Sequence, residues 1–156
     1  MACGSLDSSP LRVIYRVVAF VRKQQSSRFP VAANANETRE IFLIIEDNDD
    51  NRDSLAKLLE GQGYNAITAA NGVEGVRKGL EYAPQLAIVD IGLPGIDGLE
   101  VGKRLRAVFQ DNIFLIAQSG NDAVESRQRA MAAGFNEFFP KPVDLAALQA
   151  CLRDMT

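Results

Sequence analysis

Five times between residues 41 and 153, an apolar run of strand length is followed by a segment whose apolar residues recur at helical spacing. A strand buried on both faces reads as a short, nearly continuous β-branched and aromatic run, and an amphipathic helix places its apolar residues at i, i+3, i+4 and i+7. The spacing predicts strands at 41–45, 64–69, 86–90, 113–118 and 137–139. It predicts a first helix capped by Asp49 or Asp50, with a buried stripe of Leu55, Leu58 and Leu59 and a stop at Gly61 and Gly63. Further helices are expected at 72–82, 99–109, 122–133 (closed by Gly134) and 144–153. Strand and helix units joined by brief connections imply a parallel sheet with helices on both faces. Right-handed crossovers make it a doubly wound α/β sandwich.

In such open sheets ligands sit beyond the carboxyl ends of the strands. At those ends stand Glu46 and Asp47 after the first strand, Asp90 after the third, Ser119 after the fourth and Lys141 after the fifth. Carboxylates held close together repel one another, and a hard divalent cation that takes oxygen ligands relieves the repulsion. Magnesium is the natural candidate. A carboxylate so placed can attack phosphorus, with the metal offsetting the incoming charge while Lys141 and Ser119 hold the other phosphoryl oxygens. The product is an aspartyl phosphate.

Composition removes several other chemistries. The chain has no histidine, and its cysteines, Cys3 and Cys151, lie near opposite ends. Zinc sites, Cys-His or Ser-His nucleophile pairs and a disulfide framework are thereby poor readings. The formal net charge of −3 gives no support to a nucleic-acid binder held by phosphate neutralisation. Charge is uneven, however: before Thr38, Arg12, Arg16, Arg22, Lys23 and Arg28 outnumber Asp7 and Glu37. Residues 1–39 are read as an N-terminal extension, disordered or partly helical, and residues 40–156 as the folded domain. The apolar stretch at 11–21 is interrupted by Arg12 and Arg16 and is too short for a bilayer, which needs about 20 residues. With no basic start to suggest a secretory signal, a cytoplasmic location is expected.

The site residues, in this order, resemble the receiver domains of two-component response regulators, over about residues 40–153. Leu43 to Asn48, followed by Asn51 and Arg52, is similar to the family's first acidic turn, and Val89 to Gly98 to its phosphoacceptor loop. Ala117 to Gly120 and Phe138 to Pro142 supply the third and fourth motifs. The resemblance implies a flavodoxin-like five-stranded sheet of order 2-1-3-4-5 with five helices. It makes Asp90 the phosphoacceptor, and Glu46, Asp47, Asp90 and the backbone carbonyl of Gly92 the magnesium ligands. Ser119 would be the hydroxyl that moves to the phosphoryl group, Lys141 the cation that pairs with it, and Phe138 an aromatic switch that moves inward. The Lys141-Pro142 bond should be cis. Gly92 and Asn121 fall where the family lines the path of the hydrolytic water, and slow self-dephosphorylation is expected. Two departures stand out: Glu46 replaces the more common Asp, and Phe138 the common Tyr.

The functional expectation is a phosphoacceptor module that takes a phosphoryl group from a histidine kinase or histidine phosphotransfer protein and then changes its affinity for a downstream protein. Because the chain stops at Thr156 just after the last helix, it is expected to be a stand-alone receiver or one excised from a larger kinase. A magnesium-dependent phosphatase with an Asp nucleophile is the rival enzyme reading. Such enzymes usually place a general acid two residues after the nucleophile, where this chain has Gly92. A pseudo-receiver that binds partners without phosphorylation is disfavoured by the full set of charged site residues. A flavin-binding flavodoxin lacks support because no Ser/Thr/Gly-rich loop follows the first strand. A basic amphipathic helix around Leu11, Tyr15 and Val18 is a further alternative for the extension.

Overall fold

The computed structural model describes residues 40–121 and 124–154. The N-terminal extension, with its basic segment, and the predicted helix start at Asp122 lie outside the described residues. Five parallel strands, β1 (Ile41–Ile45), β2 (Asn65–Ala69), β3 (Leu86–Asp90), β4 (Phe114–Ser119) and β5 (Glu137–Pro140), form one sheet of order β2-β1-β3-β4-β5. The helices are α1 (Asp49–Gly61), α2 (Gly72–Tyr82), α3 (Gly98–Phe109), α4 (Val124–Ala132) and α5 (Leu145–Asp154), and a 3-10 turn, Gln110–Asn112, leads from α3 toward β4. Fold class and strand order are those expected from the sequence.

Alternation along the strands divides the core into two layers. Phe42, Ile44, Leu86, Ile88 and Ile116 pack with Leu55 and Leu59 of α1 and Leu148 and Leu152 of α5. Leu43, Ile45, Ala87, Val89, Leu115 and Ala117 pack on the opposite face with Val101 and Leu105 of α3 and Ala130 of α4. Burying a side chain of this size stabilises the fold by about 1.5–3 kcal/mol. Leu58, expected in the buried stripe, is only half-buried at the margin of its layer.

Two of the differences from the predicted boundaries come from how helices start, and the others are shifts of one or two residues at an end. Asn48, rather than Asp49 or Asp50, caps α1, its Oδ1 accepting from the Asn51 amide at 3.0 Å. The two aspartates fall in the first turn, where their charge favours the helix dipole. Asp97 caps α3 through the Glu100 amide at 2.9 Å, so that helix begins at Gly98. Gly98 has a steric reason to be there, because a Cβ at that position would lie 2.2 Å from the backbone oxygen of Asp90. Its missing side chain lets the start of α3 press directly against the end of β3.

Candidate functional site

The carboxyl ends of β1, β3, β4 and β5 carry the charged and hydroxyl residues. Glu46 directly follows β1 and is 1% exposed. One of its oxygens accepts from the Asn48 amide at 3.2 Å and the other from the Lys141 ammonium at 2.6 Å. Asp90, the last residue of β3, is 7% exposed. Its Oδ1 accepts from the Gly92 amide at 2.9 Å, and its Oδ2 from Lys141 Nζ at 3.0 Å. Asp47 is exposed to solvent at the rim. Glu46, Asp47 and Asp90 each offer a carboxylate oxygen, and these oxygens lie within 4.8 Å of one another.

Lys141 reaches this cluster from β5, on the far side of β4. Its backbone amide donates to the Ser119 carbonyl at 2.7 Å, and the bond to Pro142 is cis, as expected. Burial works to lower the Lys141 pKa, but its hydrogen bonds to Glu46 and Asp90 and the charges of both carboxylates outweigh it. The ammonium therefore holds its proton above the ordinary lysine range. For Glu46, burial is the larger influence and pushes the carboxyl above its usual value, against the opposing hydrogen bonds from Lys141 and the Asn48 amide. Desolvation of this deep acid is thus only partly offset by one shared cation.

The remaining predicted residues sort by position. Ser119 ends β4 at 7% exposure, and its Oγ accepts from the Asn121 amide at 3.0 Å, which links those two residues directly. Gly92 sits two residues beyond Asp90 with room for a side chain, since a Cβ there would meet nothing closer than Asp90 Oδ1 at 3.4 Å. Phe138 packs in the layer of α3 and α4 rather than beside the carboxylates. It is already 2% exposed, with the Arg127 guanidinium 5.1 Å from its ring centre. The inward position foreseen for Phe138 after phosphorylation is therefore occupied in this conformation. A cation over an aromatic face is attractive, and Arg127 covers the ring on its outer side.

One contact escaped the sequence reading. Arg52 donates to the backbone oxygen of Glu46 at 2.9 Å and pairs with Asp49, tying the start of α1 to the acidic turn. Arginine six residues after a buried acid has no recognisable spacing signal, because its partner is a backbone carbonyl.

The donor set fits a hard divalent cation such as magnesium: carboxylate oxygens at close range on an open rim, with more negative charge than Lys141 neutralises. The fold, the carboxylate triad and the bridging lysine are those expected of a receiver domain.

Comparison with known proteins agrees. Residues 42–153 match the response regulator receiver domain family, and the chain belongs to that family. It is 37% identical over 112 residues to the transcriptional regulatory protein AfsQ1 of Streptomyces coelicolor, covering 72% of this chain and 49% of that protein. It is 32% identical over 112 residues to response regulator MprA of Mycobacterium ulcerans, covering 72% and 48%. The chain thus spans about half the length of the curated relatives it matches. Among solved structures, a CheY-like receiver domain protein from Methanospirillum hungatei superposes with a TM-score of 0.71 at 26% identity, covering 76% of this chain and 94% of that one. A chain from the co-crystal structure of the Saccharomyces cerevisiae histidine phosphotransfer signaling protein Ypd1 with the receiver domain of its response regulator Ssk1 superposes with a TM-score of 0.67 at 27% identity, covering 71% and 84%.

Proposed function

We propose that the chain accepts a phosphoryl group onto Asp90 from a phosphohistidine of a histidine kinase or histidine phosphotransfer protein, and then presents an altered face to a downstream protein. The observation that carries this reading is the Lys141 ammonium held at once by Asp90 and Glu46 inside a triad of carboxylates. An Asp90 oxygen forms the new bond to phosphorus as the bond from phosphorus to the imidazole nitrogen breaks, and the imidazole leaves with the electron pair. Magnesium, when held by Glu46, Asp47, Asp90 and the Gly92 carbonyl, offsets the charge of the phosphoryl oxygens. The Gly92 amide orients the acceptor carboxylate through its bond to Oδ1. Lys141 turns from the carboxylates toward the transferred group, and Ser119, at the neighbouring strand end, donates its hydroxyl to a phosphoryl oxygen.

The output follows from that movement. Ser119 leads directly into the segment before α4, so its displacement repositions the face made by α4, β5 and α5. The new charge-assisted hydrogen bonds can shift the equilibrium only by their difference between the two states. Arg127 lies on this face over the buried Phe138, and we assign Phe138 the coupling role through that contact with α4. The proposed partners are proteins, and the proposed location is the cytoplasm. Among the described residues no helix is long and apolar enough to cross a membrane.

The test is phosphoryl incorporation from acetyl phosphate in magnesium buffer, read by intact-protein mass. Wild type should gain one phosphoryl group, and Asp90→Asn none, because an amide is a very poor nucleophile for phosphorus. Equal incorporation in the two proteins would sink the assignment.

A further inference from the structure

Gln118 occupies a strand position that its neighbours reserve for apolar side chains. It alternates along β4 with Phe114 and Ile116, which pack in the layer between the sheet and helices α1 and α5, so its side chain leaves the sheet on that face. Asp90 stands directly opposite Gln118 in the β3–β4 ladder and alternates with Leu86 and Ile88 of the same layer. Glu46 follows Phe42 and Ile44 in the same alternation. The Gln118 amide, the acceptor carboxylate and the deepest acid of the cluster therefore emerge on one face, at the same end of the sheet. Adjacent strands there are about 4.8 Å apart.

Gln118 is 2% exposed, and its Nε2 has no hydrogen-bond partner. A buried amide donor without an acceptor is destabilising, and a leucine or methionine would fill similar space without that penalty. Gln118 is paired across the ladder with Asp90, a group whose acceptors change. In the present arrangement Lys141 comes over the end of β4 to engage Asp90 Oδ2 and Glu46 Oε2. Phosphorylation adds strong acceptor oxygens at Asp90 and draws the lysine toward them.

We propose that Gln118 is a further binding residue of the acceptor site: its idle Nε2 donates to the acyl phosphate on Asp90 once Lys141 has turned to the phosphoryl oxygens. The inference rests on Asp90 being the phosphoacceptor. In the unmodified protein the amide is held in reserve, at some loss of stability, and it becomes satisfied only in the phosphorylated state. Such an arrangement favours the phosphorylated conformation by the whole of the newly made hydrogen bond.

Gln118→Leu and Gln118→Met, titrated with beryllofluoride in magnesium buffer and followed by NMR, should bind this phosphoryl mimic about tenfold more weakly than wild type, the loss expected for a hydrogen bond to a charged group. Without beryllofluoride, their urea midpoints should equal or exceed that of wild type. A purely structural glutamine would not produce this split. Unchanged beryllofluoride affinity in both variants would overturn the proposal, and so would lowered urea midpoints in both, which would mean that the amide is already partnered. Failure of wild type itself to bind beryllofluoride would instead remove the reading of Asp90 on which the proposal stands.

Discussion

Arg106 at the amino end of the sheet and Lys141 at the carboxyl end each reach across to oxygens on neighbouring elements, and the two cations are held in opposite ways. At the amino end, Arg106 of α3 donates to the carbonyls of Gly134 at 2.9 Å and Ile113 at 2.8 Å, to the Gln110 carbonyl, and to Asn136 Oδ1 at 2.5 Å. That same Asn136 oxygen receives the Leu115 amide at 2.9 Å. The acceptors are neutral and fixed by the backbone, and the planar guanidinium is spread over all of them. Burial lowers its pKa, with the Asp111 charge opposing, yet an arginine so placed stays protonated. At the carboxyl end, Lys141 faces acceptors that are charged and outnumber it, and its ammonium is a point donor that can be redirected. The comparison separates a cation that locks the ends of strands from one that, on the proposed function, turns to a better partner.

Breaking the lock should have the largest effect. Arg106→Ala removes the donor that the Gly134 and Ile113 carbonyls share, and leaves Asn136 Oδ1 with the Leu115 amide alone, so the expected loss is about 3 kcal/mol of folding stability. Urea unfolding measures this. Phosphoryl incorporation per folded molecule should be unchanged, because the residue lies at the opposite end from Asp90. A variant that kept its stability but lost phosphorylation would reverse the assignment of the two ends.

The carboxyl end should respond in the converse manner. Asp47 is exposed, so Asp47→Asn should leave the urea midpoint near that of wild type. It should weaken magnesium binding roughly thirtyfold, or about 2 kcal/mol, because one full charge is removed at the cation. Lys141→Met tests the other sign. Removing the ammonium that competes for Glu46 and Asp90 should tighten magnesium binding roughly tenfold, while the response to beryllofluoride weakens. Calorimetric titration reads both constants. If Lys141→Met bound magnesium less well than wild type, the lysine would be a support of the site rather than a movable occupant.

The same contrast explains what could be seen in the sequence. The strands and the layered architecture were legible because both faces of each central strand are covered, which leaves a continuous apolar run such as Leu86 to Val89, whereas the strand order came from the family resemblance. Glu46, Asp47, Asp90 and Lys141 were legible because each ends or follows such a run, and parallel register brings those ends together. The cap of α1 was missed by one residue, since Asn48, Asp49 and Asp50 are all competent caps and only the backbone decides which oxygen meets the Asn51 amide. Arg106 gave no signal because most of its partners are carbonyls at 110, 113 and 134, and any residue supplies a carbonyl. Gln118 was read only as part of the Ala117 to Gly120 motif, with no role of its own. Its idle amide is visible only when hydrogen bonds are counted in three dimensions.

The smallest effect concerns how long the carboxyl end holds its phosphoryl group. Gly92 has no side chain with which to orient water in line with phosphorus, and its backbone N–H already donates a hydrogen bond to Asp90 Oδ1. Asn121 is tied to Ser119 by its own backbone amide, and a neutral carboxamide cannot take the proton of an attacking water as a carboxylate can. Slow hydrolysis is therefore expected, with a lifetime well beyond seconds. Gly92→Asn should shorten it several-fold, by placing a hydrogen-bonding group beside the acyl phosphate. The substitution is sterically tolerable, because a Cβ at that position meets Asp90 Oδ1 at an ordinary 3.4 Å. Loss of phosphate from purified phosphoprotein in magnesium buffer gives both half-lives. A wild-type half-life of seconds, or no acceleration in Gly92→Asn, would show that water is admitted and oriented by something other than these two positions.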